Sequence, residues 1–148
     1  MSTDECFAKG LLRRVRPDRL KVEFSLQIAD KKLAEAQKLF DAGFEDVAIV
    51  SAYSAMFHAG RAILFRDGVM EKSHVCLIDY LRENYVPSGK LPHGLIFSMD
   101  AFREERHHVM YSLDPTPPPS SDAKSALDTS RQMVAWAKKQ TESKPKGV

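Results

Sequence analysis

One run limits what this chain can become. Residues 44–65, FEDVAIVSAYSAMFHAGRAILF, contain no proline, and Ala48, Ala52, Ala55, Ala59 and Ala62 interleave with Tyr53, Met56, Phe57 and Ile63. Wound as a helix, the run is apolar nearly all round, whereas a helix buried on one side keeps a polar face. It therefore needs neighbours on most sides, either as the central helix of a bundle or with a helix of a second subunit against it. A bilayer is not the solution, because Glu45, Asp46, His58 and Arg61 interrupt the run, and ionisable residues inside a span are expensive. We expect no membrane association.

The rest of the chain carries helix punctuation. Pro17 opens a helix to Ala42, stopped by Gly43, with a stripe of Leu20, Phe24, Ile28, Leu33, Ala36 and Phe40; proline at the start and glycine at the stop is the common asymmetry. The central helix runs from about Phe44 to Arg66 and ends at Asp67-Gly68. Ser73 can cap a third reaching Tyr85, and Pro92 starts a fourth. The segment 114–121, DPTPPPSS, has four prolines and cannot be helical. Ser121 or Asp122 then caps a last helix with Leu127, Met133, Val134 and Trp136, and residues 141–148 read as a frayed tail. Glycine is scarce and no stretch alternates as a strand should. The expectation is one all-α domain over 1–148, an up-and-down bundle of four to five helices with its core at about 17–140.

A chain of 148 residues can bury a core without a disulfide or metal. Cys6 and Cys76 are too few for a disulfide framework and fit a reducing interior. With no charged region and apolar stretch at the start, a cytoplasmic location is expected. The net charge of +2 does not announce a nucleic-acid binder. Residues 1–32 do hold eight Lys/Arg against five Asp/Glu, which suits a solvated face or a phosphate-binding patch.

The chemistry concentrates in MDAFREERHHVMYSL, residues 99–113. At about 100° per residue, Leu95, Met99, Phe102, Val109 and Leu113 form one stripe, and Arg106 sits in the middle of it. Arg103, His107 and Tyr111 form a second line at i, i+4, i+8, and His108 points away from both. A bare charge on a core face costs several kcal/mol unless paired, so Arg106 is expected to be buried and bonded to a carboxylate or to backbone carbonyls, within the core or across a dimer. No CxxC, HExxH, GxGxxG or Walker sequence is present, so no metal and no cofactor are expected. Arginine can hold a phosphate through its planar fork and histidine can move a proton, which together suffice for metal-free RNA cleavage. The structural alternative is an arginine tied to an acidic neighbour, with solvated histidines.

Three blocks resemble a known family. SAYSAMFHAGRAILF (51–65) resembles the central helix of HEPN-domain proteins, closest to a small prokaryotic branch reading A-Y-Y-A-M-F-x-A-A-R-A-L-L. EKSHVCLIDYL (71–81) is similar to that branch's K-T-H-x-x-x-I, and FREERHHVMY (102–111) stands where it has R-x-x-A-D-Y and where catalytic HEPN ribonucleases have R-x4–6-H. The resemblance spans about residues 17–135. It implies a helical homodimer with the motif at the subunit interface, often paired with a minimal nucleotidyltransferase in toxin–antitoxin modules. Some such proteins are metal-independent endoribonucleases, and others are non-catalytic binding modules that dock the nucleotidyltransferase. Arg103 with His108 satisfies R-x4-H, although on an unbroken helix they diverge by about 140°. Arg106 with Tyr111 satisfies the other alignment, with Met110 in place of the acid. Arg103, Arg106, His107, His108 and Tyr111 are thus the candidate residues for RNA or nucleotide binding and catalysis, with His107 the intrachain partner of Arg103 at i, i+4.

Overall fold

A computed structural model describes residues 1–142. The elements in order are α1 (Thr3–Ala8), β1 (Leu12–Arg14), α2 (Arg19–Asp41), α3 (Glu45–Asp67), β2 (Val69–Glu71), α4 (His74–Tyr85), α5 (His93–Tyr111) and α6 (Ser120–Glu142). The bundle is all-α as expected, with five long helices. A short N-terminal helix and a two-stranded antiparallel ribbon, Leu12 opposite Glu71 and Arg14 opposite Val69, were not foreseen. Three-residue strands are too short to show an alternating pattern.

The helix ends follow local chemistry. The Asp18 side chain accepts from the Lys21 N–H at 3.1 Å, just after Pro17. Ser73 caps α4 by accepting from the Cys76 N–H at 3.2 Å. The stop of α3 is the most constrained: Gly68 has φ of 80°, and a Cβ there would lie 2.8 Å from the Val15 carbonyl oxygen. Only glycine meets both the left-handed backbone and that close approach. Residues 112–119 are non-helical, so α6 takes in the last two residues assigned to the connector. The expected frayed tail lies mostly outside the described residues; Thr141 itself is helical and buried.

α3 is the axis, packed by α2, α6, α5 and α4. Ala48, Ile49, Ala52, Tyr53, Ala55, Met56, Ala59, Ile63 and Leu64 are almost fully buried. The helix is long and apolar enough to cross a membrane, but 67% of its apolar window is buried within the fold; it is a core helix. One face stays open, formed by Val47, Val50, Ser54, Phe57, His58 and Arg61.

Three expectations need correction. On α2 the buried residues are Val22, Ser25, Ala29 and Ala36, while Leu20, Phe24 and Ile28 are exposed. Small residues turned toward the alanine-rich α3 let the two helices approach closely and leave the first half of the stripe outside, while Ala36 is buried and Leu33 and Phe40 pack against the core as expected. Leu113 is fully exposed, because α5 ends at Tyr111 before the stripe is complete. Cys6 and Cys76 are not free thiols but form a disulfide across 70 residues. α1 folds back against α4 and brings the two buried sulfurs together; a cysteine count could not show this contact.

The end of the bundle at the α3 C-terminus is fixed by Asp67. Its carboxylate accepts from the Tyr80 hydroxyl at 2.9 Å and from the Tyr85 hydroxyl. Arg66 donates to Tyr85 at 3.0 Å and to the Gln140 carbonyl of α6.

Candidate functional site

The sequence-derived candidates all lie on α5, but the helix divides them between two surroundings. Arg103 is neutralised locally: its Nε donates to Asp100 at 2.9 Å, and Glu104 stands 3.4 Å away. Asp100 also faces Arg82 at 3.7 Å, and Arg82 pairs with Asp79 at 2.8 Å. This ladder of alternating charge stitches α4 to α5, so Arg103 is tied into a structural network.

Arg106 differs. It is half-buried, yet it meets no carboxylate among the described residues, so the partner expected within the core is absent. Its guanidinium lies over the Tyr53 ring, 5.2 Å from the centroid. Nη1 reaches only the Met110 sulfur at 4.0 Å, and Nε is buried with no hydrogen-bond partner. The apolar stripe of α5 lies against α3 here, and α3 offers an aromatic face rather than an acid.

His107, His108 and Tyr111 are exposed. The His107 and Tyr111 rings lie tilted at 4.8 Å, and with His108, Glu104 and Ser112 they line a shallow open depression. No hydrogen bond or ion pair among the described residues joins either histidine to Arg103 or Arg106. His107 thus sits on the expected Arg103 line but pairs with Tyr111, and Arg103 turns to Asp100.

The histidine that does converge with Arg106 comes from α4. His74 Nδ1 is 2.9 Å from the Tyr53 hydroxyl, and the His74 ring stacks on Phe57 at 4.1 Å. One turn further along α3, the Arg61 guanidinium lies 5.8 Å from the Phe57 centroid and 5.4 Å from that of Phe65. Arg61 Nε is 3.0 Å from the Glu71 carboxylate on β2. His58 presents its edge to Phe57 at 5.7 Å, with Nδ1 buried and unpartnered. Tyr53, Phe57, Arg61, His74 and Arg106 therefore form one cluster at the open face of α3, drawn from three helices.

Its electrostatics are weighted toward positive charge. Burial, reinforced by Arg106, Arg103, Arg61 and His58, pushes His74 down to about 4, so its ring is neutral at physiological pH. Burial also lowers His58, helped by Arg61 and Lys32. The Tyr53 hydroxyl is pushed up by burial, against the opposing pull of Arg106 and Arg103, and keeps its proton. Chemically the cluster offers a cationic fork, neutral imidazoles and an aromatic floor, a set of donors suited to an anion. No group of three or more metal-ligating side chains occurs among the described residues, and Cys76 is taken by its disulfide.

Sequence reasoning singled out Arg106 but assigned no role to Tyr53 or His74. The signal was present, because SAYSAM and EKSH are two of the three blocks that carry the family resemblance. Their juxtaposition depends on the packing of α4 against α3. The family profile described as HEPN domain matches residues 22–140. No curated protein matches the chain.

Proposed function

Because the chain belongs to the HEPN domain family, we propose that it binds the phosphate of RNA or of a nucleotide at the open α3–α5 face, with Arg106 as the anchor. The observation that carries this reading is the Arg106 guanidinium, half-buried on Tyr53 with a buried Nε and no carboxylate. An uncompensated cation in a partly dry site is relieved by an anion, and the guanidinium fork matches a phosphate. A second copy completes the surface. Leu20, Phe24, Val47 and Met110 are exposed apolar side chains that a twofold interface could cover.

The finer form of the proposal is a metal-independent endoribonuclease working as the toxin of a pair with a minimal nucleotidyltransferase. It is supported by an arginine and a histidine in one cluster, a phosphate clamp beside a proton-bearing ring. Gel shift with single-stranded RNA, followed by incubation in chelator, tests both levels. Wild type should bind, with affinity falling as salt rises, and Arg106→Gln should bind at least about tenfold more weakly. Cleavage that survives the chelator supports the enzyme; equal binding by Arg106→Gln overturns the anchor. The alternative, a non-catalytic dimeric module docking a nucleotidyltransferase, is favoured by the neutralised Arg103 and the exposed His107 and His108. RNA binding without cleavage would favour that module.

A further inference from the structure

The cluster contains a second ligand group that the α5 motif does not. Tyr53 is 1% exposed, and its hydroxyl stays protonated. A buried hydroxyl must donate somewhere, and the acceptor it meets is His74 Nδ1 at 2.9 Å. With the Tyr53 hydroxyl as the donor, Nδ1 is the acceptor of the pair and the proton of the neutral ring falls on Nε2. The ring is held flat by Phe57 at 4.1 Å. It also sits in the first turn of α4, a twelve-residue helix whose N-terminus is positive.

The charges that act most strongly on it are cationic. Arg106 and Arg103 of α5 and Arg61 of α3 act on His74 as positive groups, and His58 does so only once it is protonated. The acids beside these arginines are already engaged, Glu71 by Arg61 and Asp100 by Arg103. A neutral N–H donor in such a field discriminates for an anion and does not compete for the acids. Deepening the phosphate-binding reading above, on which it rests, we infer that His74 donates its Nε2–H to an oxygen of the phosphate anchored by Arg106, with Tyr53 fixing the tautomer that makes this donation. Tyr53 is then a positioning residue, and His74 rather than His107 or His108 contacts the ligand.

The test is NMR on the full chain with isotope-labelled histidines, titrated with AMP and, as a control, with adenosine. AMP should shift the His74 ring signals, keep Nε2 protonated and raise the pH at which the ring titrates, because a bound phosphate favours imidazolium. Adenosine should do none of this. His74→Leu should weaken AMP binding by about tenfold or more, and His74→Gln, which keeps a donor of similar reach, should recover part of the loss. The double variant His107→Ala, His108→Ala should bind AMP as wild type does. Thermal melts of each variant separate folding from binding. Tyr53→Phe should leave the ring in place but change its tautomer balance, seen in the nitrogen shifts. If AMP binding depends on Arg106 while the His74 signals stay still and His74→Leu binds normally, this inference is overturned and the phosphate reading survives. If neither AMP nor RNA binds, both fall.

Discussion

Replacing Arg106 with methionine tests whether the guanidinium serves the fold or a ligand. Methionine keeps a flexible apolar stem against α3 and removes the charge. The charge contributes two opposing effects. Stacking over Tyr53 at 5.2 Å stabilises by about 0.5–1 kcal/mol at a partly solvated site. The buried Nε without a partner costs about 1–3 kcal/mol in lost hydration. The balance favours the variant by roughly 0–2.5 kcal/mol, which for a chain of this length raises Tm by up to about 10 °C. Urea and thermal unfolding in a phosphate-free buffer would measure it. Adding a phosphate ligand at 100 times its Kd stabilises only the protein that binds it, by about 2.7 kcal/mol, and should narrow or reverse the order of the two proteins. A loss above about 3 kcal/mol for Arg106→Met without ligand is the mark of a broken buried ion pair. It would refute the argument that this cation lacks an acidic partner.

Other outcomes follow from the same geometry. Asp67→Ala leaves the buried hydroxyls of Tyr80 and Tyr85 without their shared acceptor and should cost about 2–5 kcal/mol in urea unfolding; Tyr80→Phe in the Asp67→Ala background should recover part of that. Burial and the neighbouring Asp122 raise Glu105 to about 7, so its contribution is fully present below its ordinary pKa near 4.5 and is lost as pH rises through about 7. Glu105→Gln should therefore gain on wild type by on the order of 1 kcal/mol at pH 8, after allowance for solvent screening, and the gain should vanish by pH 4. Opening the Cys6–Cys76 bridge, which closes a loop spanning 70 residues, should lower stability by about 4 kcal/mol on chain-entropy grounds. Unfolding of Cys6→Ala, Cys76→Ala with and without reductant checks this, and only the wild type should respond to reductant.

The sequence by itself determined the helices. Pro17 with Asp18, Gly43, Gly68, Ser73, Pro92 and the proline-rich stretch set where the long helices begin and end, because caps, proline and left-handed glycine act through neighbours in the chain. It also determined that residues 44–65 need apolar neighbours on most sides, and the packing of α2, α4, α5 and α6 around that helix made it the axis of the bundle. Arg106 stood out for a similar reason, as a charge on an apolar stripe that only the i, i+4 geometry reveals.

The tertiary structure decided what each helix faces. Leu20, Phe24 and Ile28 begin a good stripe, but the alanines of α3 admit the small residues of α2 more closely, so this half of it was turned outward while Leu33, Ala36 and Phe40 stayed on the core. Arg106 met the face of Tyr53 rather than an acid, and its histidine came from α4 rather than from the adjacent positions 107 and 108. Cys6 and Cys76 met because α1 folds back against α4. Each of these pairings joins residues distant in the chain. Periodicity specifies the direction of a side chain about its own helix axis but not the rotation of one helix against another, which depends on side-chain volumes from several elements at once.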